Sequence, residues 1–178
     1  MARNDKNLVI ENATIAFRNF AGKEDTYNRE GDRNFAILLD EDRAAEMEQA
    51  GWNVKRLKPR DDEEYGTPYV QVAVSYKQKP PKIVVVTSKG MTAYTEDMVE
   101  MLDWVDIETA DVRLTPYEWA INGKTGVKAY LLTLYLKIEE DYLQLKWESF
   151  VNDNKQIESG SSEVIDGEFW EDQKQIGA

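Results

Sequence analysis

Apolar and polar residues alternate with a period of two along much of this chain, and that pattern predicts mostly strands. Val70, Val72, Val74 and Tyr76 alternate with Gln71, Ala73 and Ser75, as expected for a half-buried strand whose core phase ends at Tyr76. Leu8–Phe20 and the run RNFAILLD at 33–40 carry the β-branched and aromatic content of strands, and the polar loop AGKEDTYNREGD separates them. Ile83–Val86 is continuously apolar, as in a central strand, and Pro80-Pro81 before it breaks any ladder. Segments 111–121 and 126–138 form a hairpin joined through Asn122-Gly123, a strong turn signal. The stretch 70–95 reads as a second hairpin. On 126–138, strict alternation puts Tyr130, Leu132, Leu134, Leu136 and Ile138 on one core face.

Two short helices interrupt the strands. Asp40 caps one over 41–50, which Gly51 ends; Thr95 caps another over 95–102, with Met98, Met101 and Leu102 on one side. The run WNVKRLKPR is partly extended, and 142–150 adds a final strand or a short docking segment. From Val151 onward periodicity is lost, which predicts a disordered tail broken by Phe169-Trp170. The expected organisation is a mainly β domain over 1–150 and an acidic tail over 151–178. Short strands, minor helices and frequent turns favour a small twisted barrel, with the OB-fold as the preferred form.

Composition narrows the chemistry. Among 178 residues there is no cysteine and no histidine, which removes the thiol nucleophile, the imidazole base and the ordinary zinc site. No cofactor or metal is expected, and the chain is read as a non-enzyme. Gly123-Lys124-Thr125 resembles the end of a phosphate-binding loop, but Glu118 stands where that motif needs glycine. The D-x-K spacings at 153–155 and 172–174 fall in the predicted tail, where nothing would hold a metal rigidly. No apolar run approaches the length of a membrane span, and residues 1–12 lack a signal-peptide pattern, so a reducing cytoplasm is the expected setting.

The net charge of −12 is unevenly spread. Residues 151–178 hold seven acids against two lysines, and residues 96–111 hold seven acids and no base; together they account for the whole imbalance. The stretch 70–95, by contrast, carries Lys77, Lys79, Lys82 and Lys89 and no acid. The stretch 112–138 sets Arg113, Lys124, Lys128 and Lys137 against Glu118 alone, with Tyr117, Trp119, Tyr130 and Tyr135 among them. Remote carboxylates do not cancel such a cluster when the Debye length is about 8 Å. Cations interleaved with aromatics on strands suit a flexible polyanion whose bases stack and whose phosphates carry charge, which is single-stranded nucleic acid. Candidate stacking residues are Tyr117, Trp119 and Tyr27; the alternative is that such rings simply pack the barrel. Candidate phosphate contacts are Lys77, Lys79, Lys82, Arg113, Lys124 and Lys128. Arg18, Arg29 and Arg33 join them, although Glu24, Asp25, Glu30 and Asp32 lie near enough in sequence to pair with them. Lys55, Arg56, Lys58 and Arg60 form a further acid-free cluster.

Leu8-Val9-Ile10-Glu11-Asn12-Ala13, Phe17-Arg18-Asn19-Phe20 and Asn28-Arg29-Glu30-Gly31-Asp32-Arg33-Asn34-Phe35 resemble the opening of single-stranded-DNA-binding proteins of tailed bacteriophages. Lys79-Pro80-Pro81-Lys82-Ile83 and Arg113-Leu114-Thr115-Pro116-Tyr117-Glu118-Trp119 match the same pattern, so the resemblance covers roughly residues 8–140. It implies an OB-fold that coats single-stranded DNA during phage replication and recombination, in the host cytoplasm. It also implies an acidic tail that contacts replication and recombination proteins and competes with DNA. Phe169 and Trp170 are the tail's candidate partner contacts, but Glu168-Phe169-Trp170-Glu171-Asp172 lies six residues short of the last residue, where the family pattern ends on its acidic tip. Oligomeric state, monomer or dimer, stays open. Two other readings also stay open: an acidic DNA mimic or protein-interaction module, which the net charge favours, and a metal nuclease built on carboxylates.

Overall fold

The computed structural model describes residues 6–77 and 79–158. The chain divides into two units, Met1–Glu139 and Glu140–Ala178. In the first, the strands are β1 (Leu8–Ile10), β2 (Thr14–Asn19), β3 (Arg33–Leu38), β4 (Val54–Arg56), β5 (Pro68–Val74), β6 (Lys82–Thr87), β7 (Gly90–Tyr94), β8 (Ile107–Ile121) and β9 (Lys124–Ile138). Helix α1 (Glu41–Gln49) precedes β4, and a 3-10 turn (Val99–Asp103) precedes β8. The second unit contains α2 (Tyr142–Glu158). Among the described residues, no helix is long and apolar enough to cross a membrane.

The strands close into a barrel through one kinked segment. β1 pairs antiparallel with β8, whereas β2 pairs antiparallel with β3. Between them Asn12 adopts φ 51°, the left-handed region that asparagine tolerates. Its N–H donates to Asp111 Oδ1 at 2.9 Å, and Ala13 N–H donates to Ala110 O at 2.7 Å. The segment thus leaves β8 and crosses to β3. β3 pairs with β5, β5 runs parallel to β9 through Val72↔Ala129 and Ala73↔Tyr130, and β9 pairs antiparallel with β8. Counting β1 and β2 as one strand gives a five-stranded Greek-key barrel with the pairing of an OB-fold.

The stretch 70–95 is not the hairpin its sequence suggested. β5 and β6 do not pair with each other; both run parallel to β9, β5 beside residues 129–130 and β6 beside residues 133–137. Pro80-Pro81 offers no amide donors and carries the chain onward in the same direction along β9. The hairpin that does form is β6 with β7, turning at Ser88-Lys89.

The core is lined by Phe35, Ile37, Val70, Val72, Leu114, Leu134 and Leu136, all fully buried, with Phe20 stacked on Phe35 at 5.3 Å. β9 does not keep one phase. Arg113 pairs with Thr133 but Leu114 pairs with Leu131, so Leu132 is an extra residue and forms a bulge. Ala129 and Leu131 face the core before it, and Leu134 and Leu136 after it. Tyr130 and Leu132 therefore leave the core face assigned to them by alternation.

Helix α1 follows its sequence signals: Asp40 Oδ1 accepts from Arg43 N–H at 2.7 Å, Ala44 and Met47 are buried, and Gly51 takes φ 91°. Instead of a helix over 95–102 there is the 3-10 turn, which buries Val99 and Leu102, three residues apart, and leaves Met101 exposed. Residues 142–150 do not form a strand, one of their two expected readings. They belong to α2, capped by Asp141, whose Oδ1 accepts from Leu143 N–H at 2.9 Å. The expected boundary after Phe150 falls inside that helix.

The bulge can be tested by stability. Leu131→Ala should cost about 2–5 kcal/mol as a core truncation, and Leu132→Ala distinctly less, in urea denaturation; equal costs would contradict the register.

Candidate nucleic-acid interface

A cleft of about 620 Å³ lies over the β3–β5 face of the barrel, between the loop that follows β2 and the β8–β9 hairpin. The loop contributes Tyr27 and Asn28, β3 contributes Arg33 and Asn34, and the segment just past β5 contributes Tyr76 and Lys77. Lys55 enters from β4, and Trp119, Lys128 and Tyr130 from the hairpin.

The loop is built around Asp25. Its carboxylate accepts from the backbone N–H of Tyr27 at 2.7 Å and of Asn28 at 2.8 Å, and from Asn28 Nδ2 at 3.0 Å. These hydrogen bonds, led by that from Tyr27, hold its pKa below the usual carboxylate range. Asn34 Nδ2 then donates to Asn28 Oδ1 at 2.7 Å, fixing the loop to β3. Tyr27 is left 93% exposed at the mouth of the cleft.

The hairpin turns on Asn122 and Gly123 at φ 52° and 77°, the paired positive angles of a type I′ turn. Cross-strand pairs put Thr115 with Tyr130, Tyr117 with Lys128, and Trp119 with Gly126, each pair on one face. Glycine at 126 is required there: a Cβ would lie 2.7 Å from Cζ2 of the Trp119 indole, which lies across the glycine. Tyr117 meets Tyr130 edge-on at 5.9 Å, and Lys128 Nζ stands 5.2 Å from the Tyr130 ring centre. Tyr117 remains 58% exposed.

Arg33 is the most constrained cation. Its Nε donates to Phe20 O at 2.9 Å, Nη1 donates to Glu96 Oε1 at 3.0 Å, and its guanidinium carbon is 5.4 Å from the Tyr76 ring centre. Burial pushes the Tyr76 phenol pKa up, and its buried hydroxyl has no hydrogen-bond partner among the described residues. Tyr76 is thus half-buried: it packs against the core, as its strand phase predicts, and also forms a wall of the cleft. In all, Arg33, Lys55, Lys77 and Lys128 line this space together with Asp32 and Glu96.

The structure gathers Tyr27, Arg33, Lys77, Trp119 and Lys128 from the expected set. It diverts Arg18, whose Nη1 donates to Leu102 O at 2.7 Å and Val105 O at 2.5 Å, tying β2 to the 3-10 turn. This half-buried arginine has a structural role, because Nη1, which carries two of its five N–H donors, is spent on backbone carbonyls. Arg29 is exposed on the loop but does not line the cleft. Tyr117 lies on the hairpin face beside the cleft, and Lys124 at the hairpin tip. Lys79 is exposed before β6. Arg113 and Lys82 flank Thr133 on one cross-strand row, with Lys82 Nζ 5.4 Å from the Tyr135 ring centre. Phe169 and Trp170 lie outside the described residues. Sequence reasoning missed Tyr130, Asn34 and Glu96, and left Lys55 in a surface cluster. The pairing of Trp119 with Gly126 was already implied by the Asn122-Gly123 turn, and extending it by four residues would have placed Tyr130 beside Thr115.

A five-stranded Greek-key barrel with aromatics and cations over its second and third strands defines an oligonucleotide-binding module. A family model described as "Putative phage ssDNA-binding domain" matches residues 1–176, and the chain belongs to that family. Among solved structures it is similar to the C-terminally truncated single-stranded DNA-binding protein from bacteriophage Enc34, with a TM-score of 0.50 and 9% identity over 78% of this chain and 88% of that one. The Enc34 protein in complex with ssDNA gives a TM-score of 0.51 and 7% identity over 78% and 89%. At such identities the likeness speaks for the fold alone. Comparison with curated proteins finds no match.

Arg18→Ala should destabilise the fold by roughly the 1.5–3 kcal/mol of a charged hydrogen bond, read as a lower melting temperature, while leaving the salt dependence of oligonucleotide binding unchanged. Gly126→Ala should displace the Trp119 indole, read as a shift in tryptophan emission together with weaker binding.

Proposed function

We propose that the chain binds single-stranded DNA without sequence preference and coats it during phage replication and recombination, in the host cytoplasm. The observation that carries this reading is the single cleft that combines braced π faces (Trp119, Tyr130) and the exposed Tyr27 with Arg33, Lys55, Lys77 and Lys128. Unpaired bases offer faces to stack on such rings, and a duplex keeps those faces inside its own stack. Asn53 and Gln71 also line the cleft with side-chain amides, donors and acceptors that suit any base.

The work assigned to these residues is binding alone: no bond is made or broken, and no cofactor or metal is called for. Tyr117, Arg113, Lys82, Lys79, Lys124 and Arg29 surround the cleft face as secondary contacts for a longer strand. DNA binding belongs to the barrel. The acidic residues beyond it, with Phe169 and Trp170, are assigned to replication and recombination partners.

Fluorescence titration with oligo-dT tests the reading. Tryptophan emission should be quenched, and log K should fall with log salt by about 0.7 per phosphate contact. Trp119→Ala should weaken binding by about 1–3 kcal/mol at every salt concentration, whereas Lys128→Ala should also flatten the slope by about 0.7. Tight binding to duplex but not to single strands would overturn the reading, and failure to shift any oligonucleotide would favour the acidic-mimic alternative.

A further inference from the structure

One cation of the cleft already has an anion. Lys55, Lys77 and Lys128 make no ion pair with any described residue, but Arg33 is bound to Glu96. The two are 63 residues apart in sequence, so the pair is a product of the fold and not of local chain geometry. Arg33 is held from behind by Phe20 O and along its face by Tyr76, and its side chain is only 23% exposed, against 55% for Glu96. Of five guanidinium N–H donors, the Nε–H goes to the backbone and an Nη1 hydrogen to the carboxylate. The guanidinium is thus fixed, and the acid in front of it is the more exposed partner.

A carboxylate and a phosphodiester are both monoanions with two equivalent oxygens, and the same guanidinium donors take either. We propose that Glu96 is a built-in occupant of a phosphate position: it holds Arg33 in the free protein, and a backbone phosphate of the entering strand displaces it. This inference rests on the single-strand reading of the cleft and adds a competitor to it. Glu96 comes from the acidic stretch 96–111, which thereby reaches the cleft at one point. A small anion has only Arg33 to win and must displace Glu96 alone. A continuous strand, already held at Lys55, Lys77 and Lys128, brings its phosphate to Arg33 at high local concentration and makes the exchange. Glu96 therefore biases the site toward polymeric over mononucleotide anions. It also lowers the salt dependence: as Arg33 passes to the phosphate, the freed carboxylate takes up a cation and offsets one counterion released from DNA.

The test is oligo-dT titration over a salt series, with the full chain, Glu96→Gln, Arg33→Gln and the double variant, each checked by thermal melting. Glu96→Gln should tighten oligo-dT binding about two- to fivefold, the scale of an exposed ion pair, and steepen the salt slope by up to about 0.7. In the Arg33→Gln background that gain should vanish, since the competitor acts only through Arg33. If Glu96 merely braces the arginine, Glu96→Gln will weaken binding, and that result overturns the inference, as does an unchanged affinity and slope. Should Arg33→Gln fail to fold, the affinity and slope of Glu96→Gln alone still decide. Oligo-dT binding by the unmodified chain separates the two levels. Its absence sinks the single-strand reading and the inference with it, whereas binding without a Glu96 effect sinks the inference alone.

Discussion

Strand β9 has to satisfy two environments along its length, and one residue out of register lets it do so. On its later half Leu134 and Leu136 fill the barrel; on its earlier half Lys128 and Tyr130 line the cleft. A strand of unbroken alternation would put all four of these even-numbered residues on one face. Either two leucines would then be turned out to water, or the Lys128 ammonium would enter an apolar core without a partner, at a cost of several kcal/mol. The bulge at Leu132 removes the conflict by changing the phase between Leu131 and Leu134. Site and core are thus set by one local feature. It lies where β9 passes from β5 to β6 on its other side.

The same economy of position explains how an acidic chain can present a cationic cleft. The acids of 96–111 lie along the 3-10 turn, its flanks and the start of β8, where several have structural partners. Asp103 accepts from the N–H of Phe20 and Ala21, Asp111 accepts from Asn12 N–H, and Glu108 pairs with Lys137. Asp103 and Asp111 hold the β1–β2 segment to the remainder of the barrel, and Glu108 ties β8 to β9. Charges more than about 8 Å away are largely screened, so the field in the cleft is governed by what lines it. Net charge speaks to solubility and to repulsion between copies, not to the sign of this one surface.

Much of this was legible in local sequence, and the rest was not, for a physical reason. The Asp40 cap, the Gly51 stop, the Asn122-Gly123 turn and the alternating valines of β5 carry their signals within a few residues. The bulge does not, because Leu131-Leu132-Thr133 holds no turn former, and its cause is a pairing with β8 about twenty residues away in sequence. The parallel contacts of β5 and β6 with β9 are non-local in the same sense. The backbone partners of Arg18 went unseen because a bond to a backbone carbonyl has no sequence signature. Helix α2 differs: Leu143, Trp147, Phe150 and Val151 have the spacing of one helical face. Against a background of strands, that signal was read past.

The two kinds of contact in the cleft also differ in stiffness, and this bears on how a strand would be held. Trp119 lies against Gly126, and Tyr130 is flanked by Tyr117 and Lys128, so these rings lose little freedom on stacking. Lys55 and Lys77 end in exposed side chains that can follow a phosphate over several ångströms. Rigid π faces favour affinity, because their ordering is already complete before binding. Mobile cations tolerate variation in backbone geometry from one base sequence to the next. A site with both is suited to hold many sequences with similar strength. Arg33, fixed by backbone, ring and carboxylate together, is the exception: under the proposed reading it is the cation whose position a phosphate would have to meet, and it would set the register of a bound strand.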